Sequence, residues 1–156
     1  MVWLFSLNSD TSLLEISWQS DRLVLNLVKQ IEDNCSPSIP IYEENILYAL
    51  MEERKNQILE KAKAWATPFE YRVWQATTEV PFGEKISYQE LAIKIGAPKS
   101  YRAVGNALGK NRFAPLIPCH RIISSDGGLG GYAFGLSVKR LLLQWEQHVK
   151  QASQSI

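Results

Sequence analysis

Three consecutive residues, Cys119, His120 and Arg121, place a thiol, an imidazole and a guanidinium side by side. A thiol becomes a strong nucleophile when it ionises, and an imidazole base or a nearby positive charge promotes that ionisation. The segment therefore indicates nucleophilic chemistry at Cys119. A single cysteine also occurs as a small buried apolar residue, so the surrounding elements must decide between these two interpretations.

The overall composition is that of a globular protein, with 46% hydrophobic and 21% charged residues. No apolar run approaches the length of a membrane span, and the N-terminus lacks the pattern of a signal peptide, so we expect a cytoplasmic protein without a membrane partner. Cys35, Cys119, His120 and His148 do not have the spacing of a metal finger. The sequence predicts neither a disulfide framework nor a metal site.

Charge is distributed unevenly along the chain. Residues 1–80 contain 7 Lys and Arg against 12 Asp and Glu, a net charge of −5, and residues 81–156 contain 10 against 4, a net charge of +6. A basic C-terminal half favours a polyanionic partner, although a solvated surface would have the same composition.

The first 66 residues predict a small α/β unit. Short runs rich in β-branched, leucine or aromatic residues predict strands over residues 2–7, 13–18 and 23–28, with a hairpin turn at residues 19–21 and a proline-containing loop at residues 34–40. Apolar residues then recur near one face of a helix over residues 43–66: Leu47, Leu50, Met51, Ile58, Ala62 and Trp65.

Two capping boxes mark helix starts in the second part of the chain. Thr67 stands three residues before Glu70, and Ser87 three residues before Glu90, the spacing at which a hydroxyl accepts from the backbone of the first helical turn. Pro68 suits the first helical position. We therefore expect a domain boundary near residue 66, with domains over residues 1–66 and 67–156.

The helix after Ser87 and a second helix over about residues 99–108 form a helix-turn-helix pattern. The second helix has an apolar face of Ala103, Val104, Ala107 and Leu108, and an opposite face of Arg102, Gly105, Asn106 and Gly109. Glycine inside a helix costs about 1 kcal/mol relative to alanine. Gly105 therefore indicates either a close approach to another surface, with Arg102 as a long cationic probe, or tight helix–helix packing.

The last helix is predicted from a cap at Ser137 to about residue 151, with an apolar stripe of Val138, Leu141, Leu142, Trp145 and Val149. Glu146 lies at the edge of this stripe, where a carboxylate either reaches solvent or pairs with a cation or an imidazole. A contact with His120 would assemble a nucleophile, a base and an orienting group. Because neighbours on a strand point to opposite sides, Cys119 and His120 can cooperate only in a turn or through a bridging water.

The motifs from Thr67 to Glu146 together resemble the O6-alkylguanine-DNA alkyltransferase family, also called methylated-DNA–protein-cysteine methyltransferases. The segments that carry the resemblance are Thr67-Pro68-Phe69, Val73-Trp74, Pro81-Phe82-Gly83, Ser87-Tyr88, Arg102-Ala103-Val104-Gly105, Asn111, Ile117-Pro118-Cys119-His120-Arg121, Gly131-Tyr132, Gly135-Leu136, Lys139, Leu141-Leu142 and Glu146. The resemblance implies an α+β fold. Its first part would be a small N-terminal α/β domain with a ribonuclease H-like three-stranded antiparallel sheet plus helix, followed by a mostly helical domain with a winged-helix-like helix-turn-helix.

The resemblance further implies DNA repair by direct reversal. Cys119 would accept the alkyl group of O6-alkylguanine, and of O4-alkylthymine, once and irreversibly and without a cofactor. His120 would take the thiol proton through a water, and Glu146 would hold the tautomer of His120. Asn111 would brace the loop that carries the cysteine, and the Tyr88 hydroxyl would donate to guanine N3.

The implied partner is double-stranded DNA, bound through the minor groove by a monomer that flips the damaged nucleotide into a pocket. The DNA-binding residues would be Arg102, which fills the vacated space, with Tyr88, Ala103, Gly105, Asn106, Arg112 and Arg121. The pocket would be formed by Pro118, Ile122, Tyr132 and Ala133.

Two residues depart from the family pattern. Arg112 stands where the family usually has proline, and Ala133 stands where many members have serine. Two other functions stay open at this point: a non-catalytic minor-groove protein that binds lesions, and a cysteine hydrolase that uses Cys119, His120 and Glu146.

Overall fold

The computed structural model describes residues 2–7, 12–19, 22–29 and 41–154. Its elements are five helices, a four-stranded sheet and a two-stranded sheet, a mixed α+β architecture as expected. Cys35, the predicted loop at residues 34–40 and the centre of the predicted hairpin turn lie outside the described residues.

The N-terminal sheet has one strand more than predicted. Strands β1 (Val2–Ser6), β2 (Ser12–Gln19) and β3 (Arg22–Lys29) are antiparallel neighbours, as expected. The prediction of three strands is wrong because β4 (Ile41–Glu43) pairs parallel to the free edge of β1. A segment of three residues is too short to show strand periodicity in the sequence.

Helix α1 (Glu44–Ala62) ends four residues before its predicted end. The N–H groups of Lys63, Ala64 and Trp65 each bond to the carbonyl three residues earlier, so the last turn tightens and the helical spacing is lost. Trp65 therefore does not continue the apolar face, and half of its surface is exposed.

Helices α2 (Pro68–Thr78) and α3 (Tyr88–Lys94) begin where the capping boxes predict. The Glu70 N–H donates to Thr67 Oγ1 at 3.2 Å, and the Glu90 N–H donates to Ser87 Oγ at 3.0 Å. Each hydroxyl satisfies one of the donors that a helix start leaves unpaired.

Helix α4 (Tyr101–Gly109) completes the helix pair, with Val104, Ala107 and Leu108 buried. The indole N–H of Trp74 in α2 donates to the Ala107 carbonyl at 2.8 Å and fixes the two helices together. Ala103 was also predicted on the apolar face, but it is exposed.

A 3₁₀ turn (Cys119–Arg121) follows a loop, and strand β6 (Ile122–Ile123) then pairs parallel to β5 (Ile86–Ser87). Helix α5 (Leu136–Gln154) begins one residue before Ser137, directly after Gly135, whose φ is +95°. Ser137 is therefore inside the helix and not its cap. None of the helices in the described ranges is both long and apolar enough to cross a membrane.

Two groups of buried apolar side chains form the core. One joins α2, α3 and α4 and includes Leu59 and Ala62 of α1. The other joins the N-terminal sheet to the stripe of α5, with Phe5 and Leu25 in the same group as Leu142 and Trp145. Both groups contain residues from each side of residue 66, so the α5 helix that carries Glu146 is held in place by the N-terminal sheet.

The two serines at the starts of α3 and α4 allow a matched test of capping. We expect Ser87→Ala to lower the free energy of unfolding by about 1 kcal/mol, because the Glu90 N–H loses its acceptor. Ser100, at the start of α4, makes no side-chain cap hydrogen bond, so Ser100→Ala is the control and should cost clearly less. Urea unfolding of the three proteins measures both values, and equal losses would contradict the cap assignment.

Candidate active site

Cys119 begins the 3₁₀ turn and opens into a pocket of about 210 Å³ beneath helix α4. Because Cys119 and His120 lie in a turn, they are not neighbours on a strand, where their side chains would point to opposite sides. The pocket is lined by residues from five parts of the chain: Tyr88, Gly105, Leu108, Gly109, Asn111, Cys119, Gly131, Tyr132, Ala133 and Phe134. A small ligand in this pocket would contact the thiol directly.

Asn111 holds the loop that carries the thiol, as predicted. Its Nδ2 donates to the Ile117 carbonyl at 2.8 Å and lies 3.2 Å from Cys119 Sγ. Its Oδ1 accepts from the Phe113 N–H at 2.9 Å. Both ends of the amide are therefore occupied, and one donor faces the sulfur.

His120 and Glu146 form the predicted contact, and both are buried. His120 Nε2 is hydrogen-bonded to Glu146 Oε2, and the two side chains expose 0% and 1% of their surface. His120 Nδ1 is buried and has no hydrogen-bond partner among the described residues. When Nε2 carries the proton towards Glu146, Nδ1 presents a lone pair, which is what a base requires.

The pKa shifts of this group agree with a neutral imidazole beside a charged carboxylate. Burial lowers the pKa of His120 below its usual range, against the opposing effect of Glu146. Burial alone would raise the pKa of Glu146, but His120 and the Arg121 guanidinium lower it. Near neutral pH, His120 is therefore able to accept a proton.

The structure contradicts the prediction that Arg121 binds DNA. Its side chain is 5% exposed, its Nε donates to Glu146 Oε1 at 2.6 Å, and its Nη1 donates to the Val80 carbonyl at 2.8 Å. The guanidinium also lies 5.4 Å from the centroid of the Phe82 ring. Arg121 compensates the buried carboxylate and is not on the surface.

Lys139 is a site residue that received no role from the sequence. It is fully buried on α5, and its Nζ donates to the carbonyls of Ile122 at 2.6 Å and Gly131 at 3.1 Å. Burial lowers its pKa to about 8, while its charge lowers the pKa of Cys119. The sequence signal that could have identified Lys139 was its position within the apolar stripe of α5, next to Val138.

The Cys119 thiol is subject to opposing effects. Burial raises its pKa above the ordinary cysteine value, and the Asn111 hydrogen bond and the Lys139 charge lower it. Arg121, predicted to help as a neighbouring positive charge, is instead engaged by Glu146. The cation that acts on the thiol is therefore Lys139.

The pocket wall differs in part from the prediction. Tyr88, Tyr132 and Ala133 line it, whereas Pro118 and Ile122 are buried and do not. The Ile122 carbonyl accepts from Lys139 Nζ. Burial raises the pKa values of Tyr88 and Tyr132, so both hydroxyls stay protonated as donors.

Gly130 allows the loop before α5 to approach Tyr88. Its φ is +70°, and an added Cβ would lie 2.8 Å from the Tyr88 ring and hydroxyl. A side chain here would force Tyr88 or the loop itself to move.

The outer face of α4 is exposed beside the pocket. Arg102, Ala103 and Asn106 are exposed, and Gly105 lines the pocket mouth. A Cβ at Gly105 would lie 4.0 Å from Tyr88, an ordinary contact. Tight helix packing inside the molecule therefore does not require this glycine.

Arg112 is not on α4 itself. Its guanidinium lies 4.9 Å from the centroid of the exposed Trp65 ring.

Within the described ranges, no three His, Cys, Asp or Glu side chains form a group that could hold a metal ion.

Three known proteins are similar to this chain, one by sequence and two by structure. A methylated-DNA–protein-cysteine methyltransferase of Methanosarcina barkeri is 51% identical over 82 residues, which cover 53% of this chain and 52% of the relative. The chain thus matches about half the length of this curated relative. The crystal structure of Mycobacterium tuberculosis OGT in complex with DNA is 29% identical, with a TM-score of 0.55 over 93% of this chain and 92% of that one.

A third protein extends the similarity along most of the chain. The O6-methylguanine-DNA methyltransferase of the archaeon Pyrococcus kodakaraensis is 26% identical, with a TM-score of 0.65 over 94% of this chain and 99% of that one. The family described as 6-O-methylguanine DNA methyltransferase, DNA binding domain, matches residues 68–148, more than half of the chain. That segment contains the Cys119 thiol, the buried imidazole and carboxylate and the exposed helix α4, and the chain belongs to this family.

Proposed function

We propose that this protein repairs O6-alkylguanine in double-stranded DNA by transferring the alkyl group once to Cys119. The observation that carries the proposal is the Cys119 thiol in a pocket beneath α4, next in the chain to a buried imidazole that is hydrogen-bonded to a buried carboxylate. Its family membership, and the DNA complex of the M. tuberculosis relative, support DNA as the partner. O4-alkylthymine presents the same alkyl–oxygen bond and is the second proposed substrate.

The chemistry is a single displacement at carbon. The Cys119 sulfur forms a bond to the alkyl carbon while the bond from that carbon to guanine O6 breaks and leaves its electron pair on the base. His120 Nδ1 takes the thiol proton through a water, and Glu146 keeps the proton of Nε2 in place. Tyr88 donates to guanine N3 and stabilises the departing base. The product is a thioether, which none of these groups can hydrolyse.

DNA binding is assigned to the exposed face of α4. An alkylated base cannot reach a pocket while it is stacked, so the nucleotide must rotate out of the duplex. Arg102, Ala103, Gly105 and Asn106 present little bulk apart from one long cationic side chain, which suits insertion through the minor groove. Arg112 is proposed as an additional contact to the backbone.

The finer description of the fold follows the same proposal. Three antiparallel strands with a parallel fourth and a helix support a ribonuclease H-like N-terminal domain over residues 1–66. The α3–α4 pair beside the two-stranded sheet supports a winged-helix-like domain over residues 67–156. The cytoplasmic location and the monomeric state stay predictions from the sequence.

A single transfer to Cys119 fixes the stoichiometry of the reaction. Incubation with a duplex that contains O6-methylguanine should add one methylene to the peptide of Cys119, with one equivalent of DNA repaired per protein. Cys119→Ala should gain no mass but keep its DNA affinity. Intact-protein and peptide mass spectrometry measure both. Continued turnover of a small ester would favour the cysteine hydrolase, and binding without mass gain would favour the non-catalytic lesion protein.

Arg102 provides a test of nucleotide flipping. Because Arg102 is exposed on α4 and away from the thiol pocket, Arg102→Ala should slow repair of duplex DNA at least about tenfold but leave the reaction with free O6-benzylguanine near wild type. Arg140→Ala removes the same charge from an exposed position on α5 and is the matched control. Equal losses of rate on duplex DNA and on free O6-benzylguanine would show that Arg102 does not act in nucleotide flipping.

The neutral state of His120 predicts a pH dependence of stability. Since the folded pKa of His120 is lowered, the unfolded chain binds the proton more tightly. This contribution to stability is fully present above the unfolded pKa of about 6.5, and it is lost as pH falls through the window below it.

The matched variants are the two histidines. His120→Gln should reduce the dependence of the melting temperature on pH between about 6.5 and 5. His148→Gln, at an exposed position on α5, should leave the dependence as in wild type. A His120→Gln protein that keeps the wild-type dependence would contradict a lowered pKa of His120 in the folded protein.

A further inference from the structure

Residues 111–113, directly after α4, connect the thiol to the N-terminal part of the chain. At one end, Asn111 Nδ2 lies 3.2 Å from Cys119 Sγ and donates to the Ile117 carbonyl at 2.8 Å. Any displacement of this amide changes the hydrogen bonding of the sulfur.

Phe113 links Asn111 to the N-terminal sheet. Its N–H donates to Asn111 Oδ1 at 2.9 Å, so the position of the Phe113 backbone sets the orientation of the amide. Its ring is 2% exposed and lies 6.4 Å, centroid to centroid, from the ring of Trp18 on β2. Aromatic pairs at this separation stabilise one another beyond the area that they bury.

Arg112 adds two further links. Its carbonyl accepts from the Leu23 N–H of β3 at 2.7 Å, and its guanidinium lies over the Trp65 ring. Residues 112 and 113 are therefore attached to the N-terminal 66 residues at Trp18, Leu23 and Trp65.

We propose that Trp18 is a positioning residue for Cys119. By holding Phe113, Trp18 keeps the Asn111 amide on the sulfur, so the N-terminal sheet sets the reactivity of the thiol and not the affinity for DNA. This inference rests on the proposed function, in which Cys119 is the alkyl acceptor. Trp18 is 43% exposed, so burial in the core does not by itself account for a large aromatic residue here.

The acidity of the Cys119 thiol depends on its contact with the Asn111 amide. Burial raises the pKa of Cys119, and the Asn111 hydrogen bond is the largest effect that lowers it. When Asn111 moves away, the thiolate loses a donor, and the thiol becomes both less acidic and less well oriented.

Tyr42 supplies the matched control. It is 36% exposed on the same sheet, and its ring lies 5.8 Å from that of Phe5. Phe5 belongs to the N-terminal strand β1 and not to the segment that carries Asn111. Removal of either exposed ring therefore costs one aromatic pair, but of the two only Trp18 is connected to the thiol, through Phe113 and Asn111.

The experiment uses the full chain and four variants: Trp18→Ala, Trp18→Phe, Tyr42→Ala and Asn111→Ala. The alkylation of Cys119 by iodoacetamide is followed against pH on the peptide that contains Cys119. Transfer from free O6-benzylguanine, affinity for undamaged duplex DNA and the melting temperature are measured on the same proteins.

We expect Trp18→Ala to slow both thiol reactions roughly two- to tenfold at neutral pH, the range that corresponds to the loss of an aromatic pair. The midpoint of the iodoacetamide profile should move to higher pH, in the direction of Asn111→Ala, with DNA affinity unchanged. Trp18→Phe keeps a ring and should restore most of the rate. Tyr42→Ala should react as wild type.

A Trp18→Ala protein that melts earlier but keeps wild-type rates and the wild-type pH midpoint would overturn the inference. If this variant does not unfold cooperatively, Arg112→Leu, which removes the cation over Trp65 from the same segment, should show a smaller shift in the same direction, and an unchanged profile would again overturn it. A wild-type protein that reacts with iodoacetamide but with neither O6-benzylguanine nor alkylated duplex would instead refute the proposed function.

Discussion

The site depends on the carboxylate of Glu146, which is 1% exposed inside the protein. Removing a carboxylate from water costs several kcal/mol unless it is paired and hydrogen-bonded. Here Arg121 and His120 satisfy it from the 3₁₀ turn, and the Gly83 N–H donates to Oε1 at 3.2 Å. One residue of α5 therefore holds the cysteine-bearing turn and the loop after α2 in a single arrangement.

The ion pair between Arg121 and Glu146 also affects the protonation of His120. Because the Arg121 guanidinium balances the carboxylate, His120 can remain neutral and hydrogen-bonded to Glu146 at once. Its second nitrogen is then available for a proton from the thiol. Lys139 Nζ donates to the carbonyls of Ile122 and Gly131, and its charge lowers the pKa of Cys119.

The core arrangement connects the N-terminal third of the chain to the residues around the thiol. The α5 stripe that carries Glu146 packs on the N-terminal sheet, and the segment that carries Asn111 is attached to β2 and β3. Contacts that orient the base and contacts that orient the thiol thus both cross from one part of the chain to the other. The apolar face of α4 packs on the other group of core residues, so its opposite face stays exposed.

The sequence by itself determined the starts of α2 and α3 and the helix pair, and it led to two hypotheses, a reactive Cys119 and a contact of Glu146 with His120. Capping and helical periodicity act between residues three or four positions apart, so they can be read locally. The tertiary structure alone decided that Arg121 is buried, that Lys139 faces the site, and that β4 joins the sheet. Arg121 is hydrogen-bonded to Glu146, which lies 25 residues away in the sequence, and to Val80, which lies 41 residues away. Whether a charged side chain belongs to the surface or to the interior depends on such distant partners, because only a specific counter-charge offsets the cost of leaving water.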